Sequence, residues 1–497
     1  MTTPTLDHEV AVVGAGFSGI GVAIALGRAG IFVILEDGDG VGGAWHWNTY
    51  PGVAVDIPSF SYQFSFAQRS DWSRVYAPGA ELKGYAEDCV DTYGLRPKIR
   101  FDSRVTDAEF DEDLHVWRLT LRGGDTLTVR HLVGATGVLT QPKPPAIPGV
   151  DDFAGTAVHT ARWDHDLDLT GQRVAVIGTG ASAVQLIPSI AEQVEHLTVF
   201  QRTPIWCLPK FDAPLPAAAR TALRRVPGAK AVARLLSQSY VEATFPLAAH
   251  FSTILPVAKI GARGGRAFLA QQVHDPVVRE KLTPQYGLGC KRPSFSNEYL
   301  ATFNRPDVAL ETTPIAEITA TGVTTTDGVE HPVDVLVLAT GFQVFEVGNM
   351  PPFPVRGRGG VNLGQWWEQN RYQAYEGATV PGFPNFFTVL GPYGYNGSSY
   401  FTLIENQARH IVRCLVRARA EQATAVEISA AAHDRYFTKM LARRPRQIFF
   451  QGTCGGSNSY YFDAHGDVPL RPSSTLEVAW RSAHFDLDDY RFEQTPA

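Results

Sequence analysis

The stretch EVAVVGAGFSGIGVAIALGRAGIFVILED, residues 9–37, decides the fold. An apolar strand, Val10 to Val13, breaks at a glycine turn, resumes as a helix to about Arg28 and returns as a second apolar strand ending at Glu36. In such a βαβ unit Gly14 makes the tight turn, Gly16 lets the backbone approach a pyrophosphate, and Gly19 lets the helix lie close on the strand. The helix N-terminus, with its free N–H groups, faces the anion. Glu36 stands where a carboxylate accepts both hydroxyls of an adenosine ribose, which marks a dinucleotide site.

A second unit follows in QRVAVIGTGASAVQLIPSIAEQVEHLTVFQRTP, residues 172–204, with Gly178, Gly180 and Ala183 at the turn. Its second strand, Leu197 to Phe200, runs into Gln201, Arg202 and Thr203 with no acid. A carboxylate there would repel a 2′-phosphate, whereas a guanidinium and a hydroxyl bind one, so this unit reads as the NADPH site. The first unit then serves the other dinucleotide.

Whole-chain properties narrow the rest. The 497 residues are 44% hydrophobic and 19% charged, with 46 glycines, which suits a folded α/β protein of more than one domain. The net charge of −6 is mild and its signs are mixed, so a nucleic-acid partner is not expected. Cys89, Cys207, Cys290, Cys414 and Cys454 form no C-x-x-C pair and lie far apart, so reduced thiols are expected, with no disulfide, zinc site or redox dithiol. The start, MTTPTLDHEV, lacks a basic-then-apolar run, and no window reaches the roughly 18 apolar residues of a spanning helix; a cytoplasmic location is expected.

Two segments, HLVGATG (131–137) and VLVLATGF (335–342), end apolar strands in A-T-G and are placed where the chain crosses between domains. The fold expected is α/β, with two Rossmann-like dinucleotide-binding domains. Residues 1–140 and 341–497 are expected to form a discontinuous domain for the first dinucleotide, and 150–340 an NADP-binding domain, joined by the stiff linker QPKPPAIPG (141–149). Residues 213–288 read as a helical insertion within the NADP domain. Its basic amphipathic face, with Arg220, Arg224, Arg225, Lys230 and Arg234, suits a solvated cover over the substrate entrance or a peripheral membrane contact. A long helix is expected over Ser398 to Gln422.

Between the two turns lies FAGTAVHTARWD, Phe153 to Asp164, spaced F-x-G-x-x-x-H-x-x-x-W-D. With the paired turns it resembles the class B flavoprotein monooxygenases, and Trp163-Asp164 resembles their Baeyer-Villiger branch. The segment Gly42 to Phe66, with Trp45, Asp56 and Tyr62, resembles the family's run along the flavin, and TVFQRTP its 2′-phosphate site. GCKRPSFSNEYLATFNRPDV (289–308) resembles the segment carrying a cofactor-binding lysine, here Lys291, and the active-site arginine, here Arg292. FPNFFTVLGP (383–392) and NSYYFDAHG (458–466) resemble its C-terminal flavin-side segments, with Tyr460 where relatives often carry tryptophan.

The resemblance implies an FAD enzyme that takes NADPH, O2 and a ketone and yields an ester or lactone. It further implies a flavin peroxide stabilised by Arg292 and by retained NADP, with Asp56 aiming Arg292. His159 is expected either to act near the nicotinamide or to hold the linker through ring hydrogen bonds, and Phe153 and Trp163 to anchor the core. Ser18, Val105 and Ser182 complete the expected cofactor-binding set of Gly14, Gly16, Gly19, Glu36, Trp45, Asp56, Tyr62, Gly178, Gly180, Ala183, Arg202, Thr203, Lys291 and Tyr460; no metal is expected. The rival activities are oxygenation at nitrogen or sulfur, disulfide reduction, which needs a cysteine pair at the flavin, and non-catalytic NADP binding.

Overall fold

The strand expected from Val10 begins at His8, and His8–Val13 lies inside the larger of the two sheets that carry the glycine turns in the computed structural model. Residues 5–27, 31–346 and 348–495 are described. Phe32–Leu35 and Thr126–Gly134 flank that strand in parallel register. Val105–Asp111, Val116–Leu121 and Thr126–Gly134 form an antiparallel meander, while Phe386–Thr388 returns from far along the chain to pair with Thr126–Gly134. The central strand is buried on both sides, which is why it reads as an unbroken apolar run instead of alternating.

The helix after the first turn is described over Phe17–Leu26; the expected end at Arg28 lies outside the described residues. It packs on the long helix Tyr400–Ala420, close to the Ser398–Gln422 read from the sequence. Gly21 allows that approach, since a Cβ there would lie 2.6 Å from Ile404 and 2.9 Å from Phe64.

The second sheet is wholly parallel, in the order Val308–Glu311, His196–Phe200, Arg173–Ile177, Val335–Leu338 and Thr156–His159. The F-x-G-x-x-x-H-x-x-x-W segment therefore supplies its edge strand. Phe153 packs on one face of this sheet and Trp163 against the core of the other. The proline-rich linker is tied to the returning chain: Lys143 N–H donates to Gly341 O at 2.9 Å, and Ile318 N–H to Pro148 O at 2.8 Å. Residues 213–288 hold the helices Ala217–Arg225, Ala229–Thr244, Pro246–His250, Val257–Gln272 and Pro276–Lys281.

One expectation fails. Cys290 and Cys454 form a disulfide across 164 residues, with Cα atoms 5.2 Å apart. Sequence spacing excluded a local pair, but a chain that leaves and re-enters the same region brings distant cysteines together. Cys89, Cys207 and Cys414 remain free and buried. Denatured without reductant, the protein is expected to yield three titratable thiols, and five after reduction; five at the outset would contradict the pairing.

Three of the buried histidines are held neutral most strongly. Burial lowers His131 and His410 to about 3 and His250 to about 4. His250 is locked between Asn396 O at 2.8 Å and Gln447 at 3.0 Å; His410 stacks on Phe485 and meets the Tyr490 hydroxyl. Because the folded values lie below the ordinary value near 6.5, the unfolded chain takes up these protons first. Stability is full above about pH 6.5 and falls on acidification toward pH 4, by about 1.4 kcal/mol per unit for each group. A thermal midpoint that stays level from pH 7 to pH 5 would contradict this.

Candidate active site

Each glycine turn is built against the end of the neighbouring parallel strand of its own sheet. Gly14 has φ +110°, and a Cβ there would lie 2.6 Å from Ala135 O; Gly178 has φ +114° and meets Ala339 O at 2.5 Å. The two A-T-G segments thus wall the two turns, which explains their small residues. Gly19 packs the first helix on its turn: its Cβ would fall 1.9 Å from Gly14 O. Ala183 is wholly buried at the corresponding place in the second unit.

Both turns open on one cleft of about 1390 Å³. Drug-sized ligands occupy pockets of roughly 300–1,000 Å³, so this cleft has room for more than one extended ligand. Gly14, Gly16, Ser18, Glu36, Trp45, Asp56, Tyr62 and Val105 line it from the first sheet's side. Gly178, Gly180, Ser182, Arg202, Thr203, Lys291, Arg292 and Tyr460 line it from elsewhere. Gly19 and Ala183 stand behind the turns, and His159 does not line the cleft.

Glu36 sits at the end of its strand, buried, accepting from Ala15 N–H at 2.6 Å and Gly38 N–H at 3.0 Å. Burial raises its pKa against those two hydrogen bonds, and among the described residues no cation lies within 4 Å. A carboxylate desolvated in this way is stabilised by further donors, and a ribose diol supplies two. The fit to an adenosine dinucleotide is therefore good.

At the second strand end Arg202 is exposed, with no carboxylate within 4 Å among the described residues. Lys291 beside it has its pKa lowered by burial and then by Arg202. Two neighbouring cations without a counter-ion form an anion site, as a 2′-phosphate requires. Asn458 Nδ2 donates to Thr203 Oγ1 at 2.7 Å, tying the loop that carries Tyr460 to the same strand end.

Arg292 is gripped from two sides. Its Nε donates to Asp56 Oδ2 at 2.6 Å and its Nη2 to Asp56 Oδ1 at 2.9 Å, a two-pronged pairing that fixes the plane of the guanidinium. Nη1 donates to the Tyr395 hydroxyl at 3.1 Å. Burial works against the charge, but Asp56, then Tyr395 and Tyr461, more than offset it and hold the guanidinium well above its ordinary range. One hydrogen on each Nη stays unassigned, so the cation can serve a further acceptor. The disulfide at Cys290 anchors this segment from behind, and its sulfurs do not line the cleft.

Both ring nitrogens of His159 have partners within the fold. Nδ1 accepts from Ala161 N–H at 3.0 Å, which assigns the proton to Nε2, facing Thr340 Oγ1 at 3.2 Å. Burial, then Arg162, lowers its pKa and keeps it neutral.

Sequence reasoning passed over Tyr395 and Gln185. The stretch PYGYNGSSYF, residues 392–401, is rich in glycine and tyrosine, and nothing in its sequence singles out the tyrosine that meets Arg292. Gln185, on the second unit's helix, accepts from Tyr50 OH at 2.8 Å and donates to Ala54 O at 2.8 Å, joining the two units two residues from Asp56. A polar residue at an otherwise apolar helix position was the available signal.

Comparison with known proteins bears on this site. Residues 8–232 match the pyridine nucleotide-disulphide oxidoreductase family. A Baeyer-Villiger monooxygenase of Streptomyces coelicolor is 38% identical over 97% of this chain and 93% of its own. The phenazine N-monooxygenase PhzNO1 of Lysobacter antibioticus is 36% identical over 86% of this chain and 85% of its own. Among solved structures, OTEMO in complex with FAD and NADP superposes with a TM-score of 0.88 at 28% identity, covering 98% of this chain and all of that one.

Proposed function

The chain belongs to the Baeyer-Villiger monooxygenases, and on that premise we propose that it inserts one oxygen atom beside the carbonyl of a ketone, giving an ester or lactone. It is an FAD-dependent NADPH monooxygenase. The observation that carries the finer reading is the paired Arg292 and Asp56 inside a cleft that both glycine turns share.

FAD reduced by NADPH supplies the oxygen-transfer chemistry; the chain's residues hold the cofactors and manage charge. Gly14, Gly16, Ser18 and the helix N-terminus bind the FAD pyrophosphate, Glu36 binds its ribose, and Trp45, Tyr62 and Val105 line its path. Gly178, Gly180, Ser182, Arg202, Thr203 and Lys291 bind NADPH, with Tyr460 on the loop above. Arg292 stabilises negative charge developing on the substrate's oxygen, which its fixed orientation permits without reorganisation. Asp56 sets that orientation, and His159 holds the edge strand to the A-T-G segment at Thr340. The proposed division is 1–140 with 341–497 for FAD and 150–340 for NADP, with the insertion at 213–288; the membership of the two sheets supports it.

Arg202→Gln removes the unpaired cation facing a 2′-phosphate. It is expected to raise the KM for NADPH about 10- to 100-fold, the loss of one charge-assisted contact, and to leave the KM for NADH nearly unchanged. Equal losses with both coenzymes would count against this site.

Likeness to a phenazine N-monooxygenase favours a second reading, oxygenation at nitrogen. The test is a panel of ketones, aromatic N-heterocycles and thioethers with NADPH and air, analysed by product mass and structure. Esters or lactones are expected; N-oxides or sulfoxides alone would overturn the reading.

A further inference from the structure

We propose that the helical insertion docks on an anionic lipid bilayer. Residues 213–274 carry eight Lys or Arg and a single acid, Glu242, in a chain whose net charge is −6. Glu242 is turned inward, accepting from Thr475 N–H at 3.0 Å. Arg220, Arg224, Arg225, Lys259 and Arg263 are exposed, and among the described residues none has a carboxylate within 4 Å.

The same segment leaves apolar side chains in water. On Ala229–Thr244 one face points inward: Arg234 donates to Gln63 O at 2.6 Å, Ser237 to Ser61 Oγ at 2.8 Å, and Val241 is buried. The opposite face presents Val232, Leu235 and Leu236 at 57%, 66% and 67% exposure. The following loop and the start of Val257–Gln272 add Ile254 and Ile260, both near two-thirds exposed. Several large apolar side chains on one segment, set among cations, mark an interaction surface.

Charge selects the occupant. A second copy of this chain meeting the same face would set cation against cation, since a two-fold interface pairs a patch with itself. A bilayer containing anionic headgroups offers hydrocarbon to Leu235, Leu236, Ile254 and Ile260 and phosphate to the arginines and lysines at once. No helix among the described residues is long and apolar enough to cross a membrane, so the contact is peripheral. On the inner side, Phe245 ends the same helix with its ring 5.8 Å from the Arg292 guanidinium, so the bilayer-facing element also touches the site. Docking does not depend on the oxygenation reading and is measured without turnover.

The flavin-loaded enzyme is sedimented with vesicles of phosphatidylcholine alone and of phosphatidylcholine mixed with phosphatidylglycerol. Binding is expected only to the mixture, with release as salt rises from about 0.1 M to about 1 M and screening shortens from about 10 Å to about 3 Å. Arg224→Gln/Arg225→Gln should weaken binding about 10- to 30-fold. Leu235→Ser/Leu236→Ser should also lose binding, both variants keeping flavin content and its reduction by NADPH. No binding to the mixture, equal binding to both vesicles, or no loss in either double variant would overturn the proposal. So would a dimer that Leu235→Ser/Leu236→Ser dissociates. The lipid and salt comparisons use the unaltered protein and decide the matter even if a variant fails to fold.

Discussion

Arg292→Ala lowers ketone oxygenation by about 100- to 1,000-fold, the effect of removing one preorganised charged donor, and leaves flavin content and its reduction by NADPH nearly intact. Two of the guanidinium's five hydrogens go to Asp56 and one to Tyr395, and the remainder are held in a fixed plane at the cleft. Lysine is not a sufficient replacement, because an ammonium cannot span both Asp56 oxygens and the Tyr395 hydroxyl. Steady-state product formation and anaerobic bleaching of the flavin by NADPH separate the two effects. Oxygenation within tenfold of wild type would remove Arg292 from its role.

Gly19→Ala is expected to weaken FAD binding about 10- to 100-fold or more and to give largely colourless protein. A Cβ there falls 1.9 Å from Gly14 O, so the turn must open or the helix move, and overpacking of this kind costs about 1–3 kcal/mol at the least. Gly180→Ala provides the contrast. Nothing lies within 4 Å of its added Cβ, so the fold accepts it and the flavin stays. The effect there falls on NADPH affinity. Flavin absorbance per protein, measured on both variants, checks the pair; full flavin content in Gly19→Ala would contradict the reading of the first turn.

The two βαβ units were legible because each compresses into about thirty residues the periodicity, glycine spacing and strand-end charge that a dinucleotide requires. The two strand ends differ in the sequence itself, an acid directly after Leu35 and an arginine two residues after Phe200. The helices within 213–288 were legible from their alanine, leucine and arginine spacing, but the outward apolar face of Ala229–Thr244 was not. Which side of Ala229–Thr244 meets Gln63 and Ser61 is a tertiary fact.

Two contacts between distant segments stayed hidden. Arg292 meets Tyr395 across 103 residues, and Cys290 meets Cys454 across 164, and no local pattern encodes either approach. The cysteines show the cost of arguing from spacing. Separation in sequence excluded a local pair and was extended to exclude any pair. Tyr395 was unreadable for a different reason: a tyrosine in a glycine-rich loop looks alike whether it faces solvent or a partly buried cation.

The central claim is that the cleft around Arg292 transfers one atom of dioxygen into a carbon skeleton beside a carbonyl. Turnover of a cyclic ketone with NADPH under isotopically heavy dioxygen tests it most directly. The account predicts a lactone carrying one heavy oxygen atom in its ring, formed in proportion to NADPH consumed. A lactone with no heavy atom, or NADPH consumed with only hydrogen peroxide formed across the ketone panel, would contradict it.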